Sequence, residues 1–427
     1  MFLWHRQYIP WLTVAYALGA MLCSVAPAGS QELLLTPGLG HDRFTETFFL
    51  EDSTAIDPDS LDQIKRTEDG LRESYASLGI GLKQTGWRLE STTYATDAAW
   101  RNISEGWGRV ERGRFRGDLN GRLEWKGIDT DDTLASAYTY ARIEMKPRLR
   151  VDEKWSMIGS MDWELGDYHG NTAYTVDYRR LRGQAGVEFI GDLLEYFDLR
   201  AGLSRRSVPD SALLEYDEKF VRAGASGWRT GSVTWTADAS FTDRTYSPGN
   251  AEDDHRRWWS DLRMDWYLGV LWRLEGTAEW QYWDYKPDST INDDFVNWRL
   301  GAAAHIRPLP SWEFGGEIET RFERTTSDSE TGTDYDQWEA GPRISWTPAP
   351  PVWLELSPRV GRRDYGAAAT YYDSYDFWEV SAHGDVFLSR GPTASVMVSY
   401  LSEGHDDPAR DLDQLYLSLV VRFPIRP

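Results

Sequence analysis

Strict alternation of apolar and polar residues, held for ten or more positions at a time over most of the chain, restricts its fold more than any other feature. In Phe115 to Gly127 (FRGDLNGRLEWKG) the odd positions are Phe115, Gly117, Leu119, Gly121, Leu123, Trp125 and Gly127. The even positions are Arg116, Asp118, Asn120, Arg122, Glu124 and Lys126, all polar. Trp155, Met157, Gly159, Met161, Trp163 and Leu165 form a second apolar face, with Ser156, Ser160, Asp162 and Glu164 opposite. Trp312, Phe314, Gly316, Ile318, Thr320 and Phe322 form a third, against Glu313, Glu317, Glu319, Arg321 and Glu323. Successive side chains of a strand point to opposite faces, so each segment reads as a strand between two unlike environments.

A soluble sandwich and a transmembrane barrel both use such strands, and length separates them. Sandwich strands run about 5 to 6 residues. A tilted strand that crosses a bilayer needs roughly 9 to 11, and the segments here exceed ten. Aromatic residues bracket the apolar faces, as with Trp155 and Trp163 or Trp272 and Trp280, which suits girdles at two membrane interfaces. The links between segments also alternate in length. Tight ones fall near Val151 to Lys154, Gly191 to Glu195, Gly269 to Val270, Arg307 to Ser311, Thr347 to Pro351 and Ser389 to Pro392. Longer acidic ones include PGNAEDDH (Pro248 to His255), PDSTINDD (Pro287 to Asp294), TTSDSETGTDYD (Thr325 to Asp336) and SEGHDDPARDLD (Ser402 to Asp413). Short turns on one side and long loops on the other fit a barrel with periplasmic turns and extracellular loops.

Composition narrows the field further. With 27% charged residues and a mean hydropathy of -0.56, nothing after the first thirty positions approaches the ~18 consecutive apolar residues of a spanning helix. The content of 41% hydrophobic residues, with 22 Trp and 22 Tyr, argues against disorder. A net charge of -22 repels phosphate, so nucleic acid is not expected as a partner. One Cys allows no intramolecular disulfide and no Cys-based zinc site.

Residues 1–28 read as a secretory signal peptide: Arg6, an apolar run from Trp11 to Val25, and small residues at Ala26 and Ala28. An N-terminal anchor is the competing reading, and Leu22 before Cys23 argues against an acylated lipoprotein. Residues 29–70 are acidic and irregular, a tail, a lumen plug or an extra strand. Residues 71–423 read as the barrel and 424–427 as a short extension. Sixteen strands are expected from Phe115 onward, the last from Gln414 to Phe423, and weaker alternations between Leu71 and Arg112 add one hairpin or two. The fold expected is therefore all-β: a transmembrane antiparallel up-and-down barrel of about eighteen strands, with sixteen or twenty as alternatives.

The last strand carries a resemblance. Leu415, Leu417, Leu419, Val421 and Phe423 alternate with Gln414, Tyr416, Ser418 and Arg422. This is similar to the C-terminal strand of bacterial outer-membrane β-barrels of the porin-like class, in which the assembly machinery reads a near-terminal aromatic. Phe423 is then the assembly signal, although Pro424, Ile425, Arg426 and Pro427 follow it here where the family commonly ends. The resemblance implies an outer-membrane location, with lipid, lipopolysaccharide and the barrel-assembly machinery as partners, and periplasmic export components if the pore serves export.

With the apolar face toward lipid, the inward face becomes readable. Expected there are Arg116, Arg122, Arg142, Arg180, Arg182, Arg200, Arg222, Arg263, Arg273, Arg299, Arg321 and Arg343. Beside them stand Glu124, Glu144, Asp162, Glu164, Asp198, Asp238, Asp261, Asp265, Glu275, Glu279, Glu317, Glu319 and Glu339. Such charges either pair across strands and keep the lumen rigid or set ion preference as a pore lining. Tyr138, Tyr140, Tyr174, Tyr178, Tyr267, Gln281 and Trp283 also point inward.

An enzyme or adhesin is the competing class. His383, with Ser381 and Asp385 at two-residue spacing, is the one candidate constellation. Side chains two apart on a strand lie about 7 Å from one another, too far for a nucleophile, base and orienter. The acidic links Asp129 to Asp132 and Asn292 to Asp294 offer oxygen ligands without EF-hand order. No catalytic residue, metal site or cofactor is expected. The function expected is an outer-membrane channel for polar solutes, with an exit pore for exopolysaccharide or secretion as the alternative within transport, and a barrel-embedded lipid hydrolase or an adhesin outside it.

Overall fold

The computed structural model describes residues 32–51, 63–95, 99–128, 137–169, 177–192, 195–209, 211–229, 232–247, 254–285, 294–326, 334–349, 352–366, 373–387, 393–407 and 410–422, with side chains from residue 76 onward. The signal peptide, Tyr174, Phe423 and the C-terminal extension lie outside the described residues. Twenty strands account for nearly all of it. In chain order they are β1 (Glu32–Glu51), β2 (Gln63–Gln84), β3 (Trp87–Ala95), β4 (Ala99–Arg112), β5 (Phe115–Ile128), β6 (Ala137–Arg150) and β7 (Trp155–His169). Next come β8 (Tyr178–Ile190), β9 (Tyr196–Ser207), β10 (Tyr216–Arg229), β11 (Val233–Tyr246), β12 (His255–Leu268), β13 (Trp272–Tyr285) and β14 (Phe295–Leu309). The last six are β15 (Trp312–Thr325), β16 (Tyr335–Ala349), β17 (Val352–Tyr365), β18 (Tyr375–Phe387), β19 (Thr393–His405) and β20 (Leu412–Arg422). One 3₁₀ turn, Ala212–Leu214, interrupts the pattern, and among the described residues no helix is long and apolar enough to cross a membrane.

Each strand pairs antiparallel with its sequence neighbours, and β1 pairs with both β2 and β20, so the sheet closes into a ring. Closure leaves no free edge, which removes the row of unpaired backbone groups that could not exist in hydrocarbon. The sixteen strands expected from Phe115 onward are present as β5 to β20. The total is twenty rather than eighteen. Residues before Leu71 supply the difference: β1 lies wholly within 29–70, and β2 starts at Gln63. That stretch escaped the alternation test because EDSTAIDPDS, which interrupts it, is acidic and turn-like.

Connections at one end of the ring are two to five residues long, including Thr85–Gly86, Gly113–Arg114 and Pro310–Ser311. Gly86 and Gly113 adopt φ of 87° and 58°, a left-handed conformation that a two-residue hairpin demands and other residues resist. In the β6–β7 turn, Asp152 accepts the backbone N–H groups of Lys154 (2.8 Å) and Trp155 (2.7 Å), and these bonds hold its carboxyl below the usual range. Both the start of β1 and the end of β20 lie at this short-turn end. Links at the other end mostly run six residues or more.

The packing is inverted relative to a soluble protein. Among the described residues five apolar side chains are buried against thirteen polar ones, while Leu203, Met161, Met157, Val360 and Ile318 are at least half exposed. Exposure alternates along each strand, as on β8, where Leu181 and Val187 are exposed while Arg182 and Glu188 are not. Rings of aromatics bracket the exposed band. Trp155 meets Phe189 (5.0 Å between centroids) and Trp312 meets Trp346 (5.4 Å) at the short-turn end. Trp100 with Trp125 (4.4 Å), Phe241 with Trp258 (5.1 Å) and Trp298 with Phe322 (6.2 Å) do so at the other. Trp155 and Trp163 are eight residues apart, about 26 Å along a strand, which at the tilt of outer-membrane strands spans about 20 Å of the ~25 Å apolar band.

The two faces should therefore respond differently to charge. Leu119→Arg or Met161→Arg, mid-strand on the exposed apolar face, is expected to cost about 2 to 4 kcal/mol. Asn120→Arg on the opposite face is expected to be tolerated. Urea titration of the barrel refolded into liposomes measures both, and equal cost at the two faces would show the assignment of inside and outside to be wrong.

Candidate functional site: the charged inner face

The face turned away from the apolar band is a lattice of charges set by register. Directly opposed residues share a face, so Arg122, Arg142, Glu164 and Arg180 form one row across β5 to β8, and Asp162 and Arg182 stand in the next. A further row runs Asp238, Asp261, Glu279, Arg299, Arg321 across β11 to β15, continuing to Gln337 and Arg363. All twenty-five charged residues singled out in the sequence fall on this one face.

Pairing joins most of them. Glu124, 5% exposed, accepts from Arg101 Nε (2.8 Å), from Arg122 (2.6 Å) and from the Tyr138 hydroxyl. Arg142 Nε donates to Asp162 (2.7 Å), and Glu164 binds Arg180 and the Tyr178 hydroxyl. Glu144 holds Lys146 (2.9 Å), Arg116 holds Asp118 (3.0 Å) and Asp198 holds Arg200 (2.6 Å). On the far side, Arg273 meets Glu275 (2.6 Å), which also draws Arg263 (3.4 Å); Arg263 lies 3.5 Å from Asp265. Glu319 binds both Arg299 (2.8 Å) and Arg321 (2.5 Å). Arg343 binds Glu355 (2.7 Å), while Arg359 spans Glu339 (3.2 Å) and Glu379 (2.8 Å). Arg182, Arg222, Asp238 and Asp261 are not drawn into these pairs.

Several members went unnoticed in the sequence: Arg101, Glu105, Arg148, Glu188, Glu218, Arg244, Arg257, Glu355, Arg359 and Glu379. Their parity gave the signal, since Arg257 is two steps of two from Asp261 and Glu355 sits between Trp353 and Ser357 on the inner face. Partner identity carried none, because it follows from register. Asp162 is also more constrained than expected of a wet lumen, being 6% exposed and bound to Arg142.

Aromatic side chains share this face near the long-loop end. Tyr216 contacts Tyr246 (5.6 Å), His255 contacts Trp283 (4.6 Å), and Trp283 stacks on Phe295 (5.7 Å). The His383 constellation does not assemble around a nucleophile. His383 Nε2 is 3.5 Å from Asp385, but the Ser381 hydroxyl donates to the Ser357 carbonyl (3.3 Å).

No family model matches the chain. No curated protein matches it either. Solved structures do. The siderophore receptor PirA from Pseudomonas aeruginosa is similar over 91% of this chain and 80% of its own, with 8% identity and a TM-score of 0.53. A BenF-like porin from Pseudomonas fluorescens Pf-5 is similar over 93% of this chain and 99% of its own, with 10% identity and a TM-score of 0.52. The fold is that of an outer-membrane β-barrel.

Glu124 gives the clearest test of how the inner face is held together. Removing it leaves two guanidiniums without their shared carboxylate, and breaking a buried pair from one side costs roughly 3 to 5 kcal/mol. Glu124→Ala is expected to lose an amount near the lower bound, because Arg101 and Arg122 keep partial access to water. Glu124→Gln should recover part of it. Urea unfolding of the lipid-embedded barrel reads both, and a loss below 1 kcal/mol would show that the cluster is not a structural tie.

Proposed function

We propose that the chain is a channel of the bacterial outer membrane, delivered by its signal peptide and seated by the barrel-assembly machinery, through which polar solutes diffuse along the charged inner face. The observation that carries this reading is the pairing of a closed, membrane-height ring, apolar outside, with an inner face built of ionised side chains. A dry core would not hold so much charge, since each desolvated ion costs several kcal/mol. Water in the lumen removes most of that cost. The short-turn end faces the periplasm and the long acidic loops face outward, beside lipopolysaccharide. Transport by diffusion needs no turnover chemistry.

Charge distribution sets the expected selectivity. Arginine and carboxylate pair along the inner face, while much of the excess behind the net charge of -22 lies in the links. The screening length at physiological salt is about 8 Å, so loop charges bias entry weakly. Planar-bilayer recordings should show potassium chloride conductance with a modest cation preference that fades as salt rises. Neutralising Glu252 and Asp253 should shrink the preference with conductance nearly unchanged. Asp254 is left intact, because its carboxylate accepts the Tyr246 N–H (2.5 Å) and anchors the end of β11. Arg263→Gln with Arg273→Gln strips Asp265 and Glu275 of compensation, and should raise cation preference and alter conductance. A strong anion preference, or no current through a folded barrel, would overturn the channel reading.

A further inference from the structure

Among the described residues, three arginines and three carboxylates on β8 to β13 stand outside the ion pairs that join most of the inner face. Arg182 stands directly opposite Asp162, yet that carboxylate is bound by Arg142, and the Arg182 guanidinium lies 4.1 Å over the ring of Phe220 instead. Arg222 approaches the same ring from its own strand at 5.5 Å. Phe220 is 2% exposed, so both cations lie against one fixed aromatic plate. Arg257 lies 5.0 Å over Trp283. The Nε atoms of Arg182 and Arg257 are buried and have no hydrogen-bond partner among the described residues. Nearby carboxylates are engaged elsewhere: Glu164 by Arg180, Asp198 by Arg200 and Glu218 by Arg244.

The next row toward the short-turn end has the opposite sign. Asp238 faces Asp261, and Asp261 faces Glu279, in direct cross-strand register. Like charges directly opposed are destabilising. The next cations in line, Arg299 opposite Glu279 and Arg321 beyond it, both give their guanidiniums to Glu319 (2.8 and 2.5 Å), and Arg263, two residues from Asp261 on β12, is shared by Asp265 and Glu275. Glu279 accepts from Trp259 Nε1 (2.8 Å) and Gln281 (3.0 Å), which orient it without neutralising it. A concavity of about 360 Å³ begins at Asp261 and Glu279 and extends away from the three arginines, past Glu275, Arg299 and Glu317 to Arg359, within the range of small-molecule sites. Arg222 precedes Gly224, which faces Asp238, by two residues. The arginine station and the acidic row therefore adjoin on the diagonal of one strand pair, about 7 to 8 Å apart.

Two guanidiniums on one ring repel one another, and three carboxylates in a row do the same. One anionic and one cationic group placed between them relieve both strains at once. We infer that this is a binding station for zwitterionic solutes, an α-amino acid or short peptide, whose carboxylate enters between Arg182 and Arg222 with Arg257 above, while its ammonium group meets Asp238, Asp261 and Glu279. The planar guanidinium fork suits a carboxylate in two-point contact. This station rests on the channel reading and names the solute class it passes.

The test records potassium chloride current through single full-length barrels while a solute is added on the long-loop side. The solutes are alanine, alanine amide, which keeps the cation alone, and N-acetylalanine, which keeps the anion alone. Alanine is expected to block at concentrations at least fivefold below either capped form. Arg182→Gln with Arg222→Gln should bring alanine to the level of alanine amide, and Asp238→Asn with Asp261→Asn should bring it to the level of N-acetylalanine. Trialanine compared with alanine separates the two sources: stronger block by trialanine assigns a peptide, weaker block an amino acid. Equal block by all three solutes in the unaltered protein overturns the station and leaves the channel standing, and that comparison requires no variant to fold. Folded variants that keep the fivefold discrimination overturn it too. Absence of potassium chloride current in a folded barrel removes both readings.

Discussion

In hydrocarbon a backbone N–H or C=O has no water to turn to, and each one left unsatisfied costs several kcal/mol. A sheet meets that demand only by closing on itself. The β1–β20 pairing is therefore the contact on which the rest depends, because without it two strands would present free edges to lipid. Closure also divides every strand into an outer and an inner face, and the alternation in the sequence is the chemical record of that division. Where proline removes a donor, as at Pro147, Pro342 and Pro358, the ladder omits pairs and resumes in the same register. The ring tolerates a missing rung but not a missing neighbour.

Inside, the energetic problem is reversed. The inner face carries many ionised groups, and cross-strand pairing gives most of them a counterion without side chains crossing the lumen. Glu124, Glu319 and Arg359 each serve two partners, so the pairs merge into short networks along the wall. A network of this kind is stiffer than isolated pairs, since no member can turn away without leaving another uncompensated. Stiff walls hold the shape of a lumen that has no packed core behind it.

Architecture was legible in the sequence because period two leaves a mark on every residue. The strands from β5 to β20, the short-turn and long-loop ends, the aromatic brackets and the identity of the inward residues all follow from parity and punctuation. The strand number did not, because Glu32 to Glu51 contains Pro37 and two glycines, Gly38 and Gly40, and is followed by a link that resembles a disordered acidic tail. Nor did the pairing pattern. Whether Arg142 binds Asp162 or Glu144 depends on register and on which side chain is already engaged, and neither is written in one strand alone. Sequence places Arg182 on the inner face. Only the neighbouring strand shows that its natural partner is taken and that an aromatic ring has replaced it.

That difference bears on what the fold similarity can carry. A siderophore receptor and a porin share this architecture with the chain at 8% and 10% identity, so the ring itself is compatible with more than one kind of traffic. Specificity must come from the inner face, and there the paired charges are the least informative, because a satisfied ion pair has little reason to reach for a solute. Groups that forgo available counterions are the ones with binding energy to offer. Arg182 and Arg222 on Phe220, beside the row Asp238, Asp261, Glu279, concentrate that uncommitted charge within the six adjacent strands β8 to β13. Among the described residues most other inner-face charges are paired, with Arg206, Arg363 and Glu317 standing singly, so charge of both signs outside any ion pair gathers in this part of the wall.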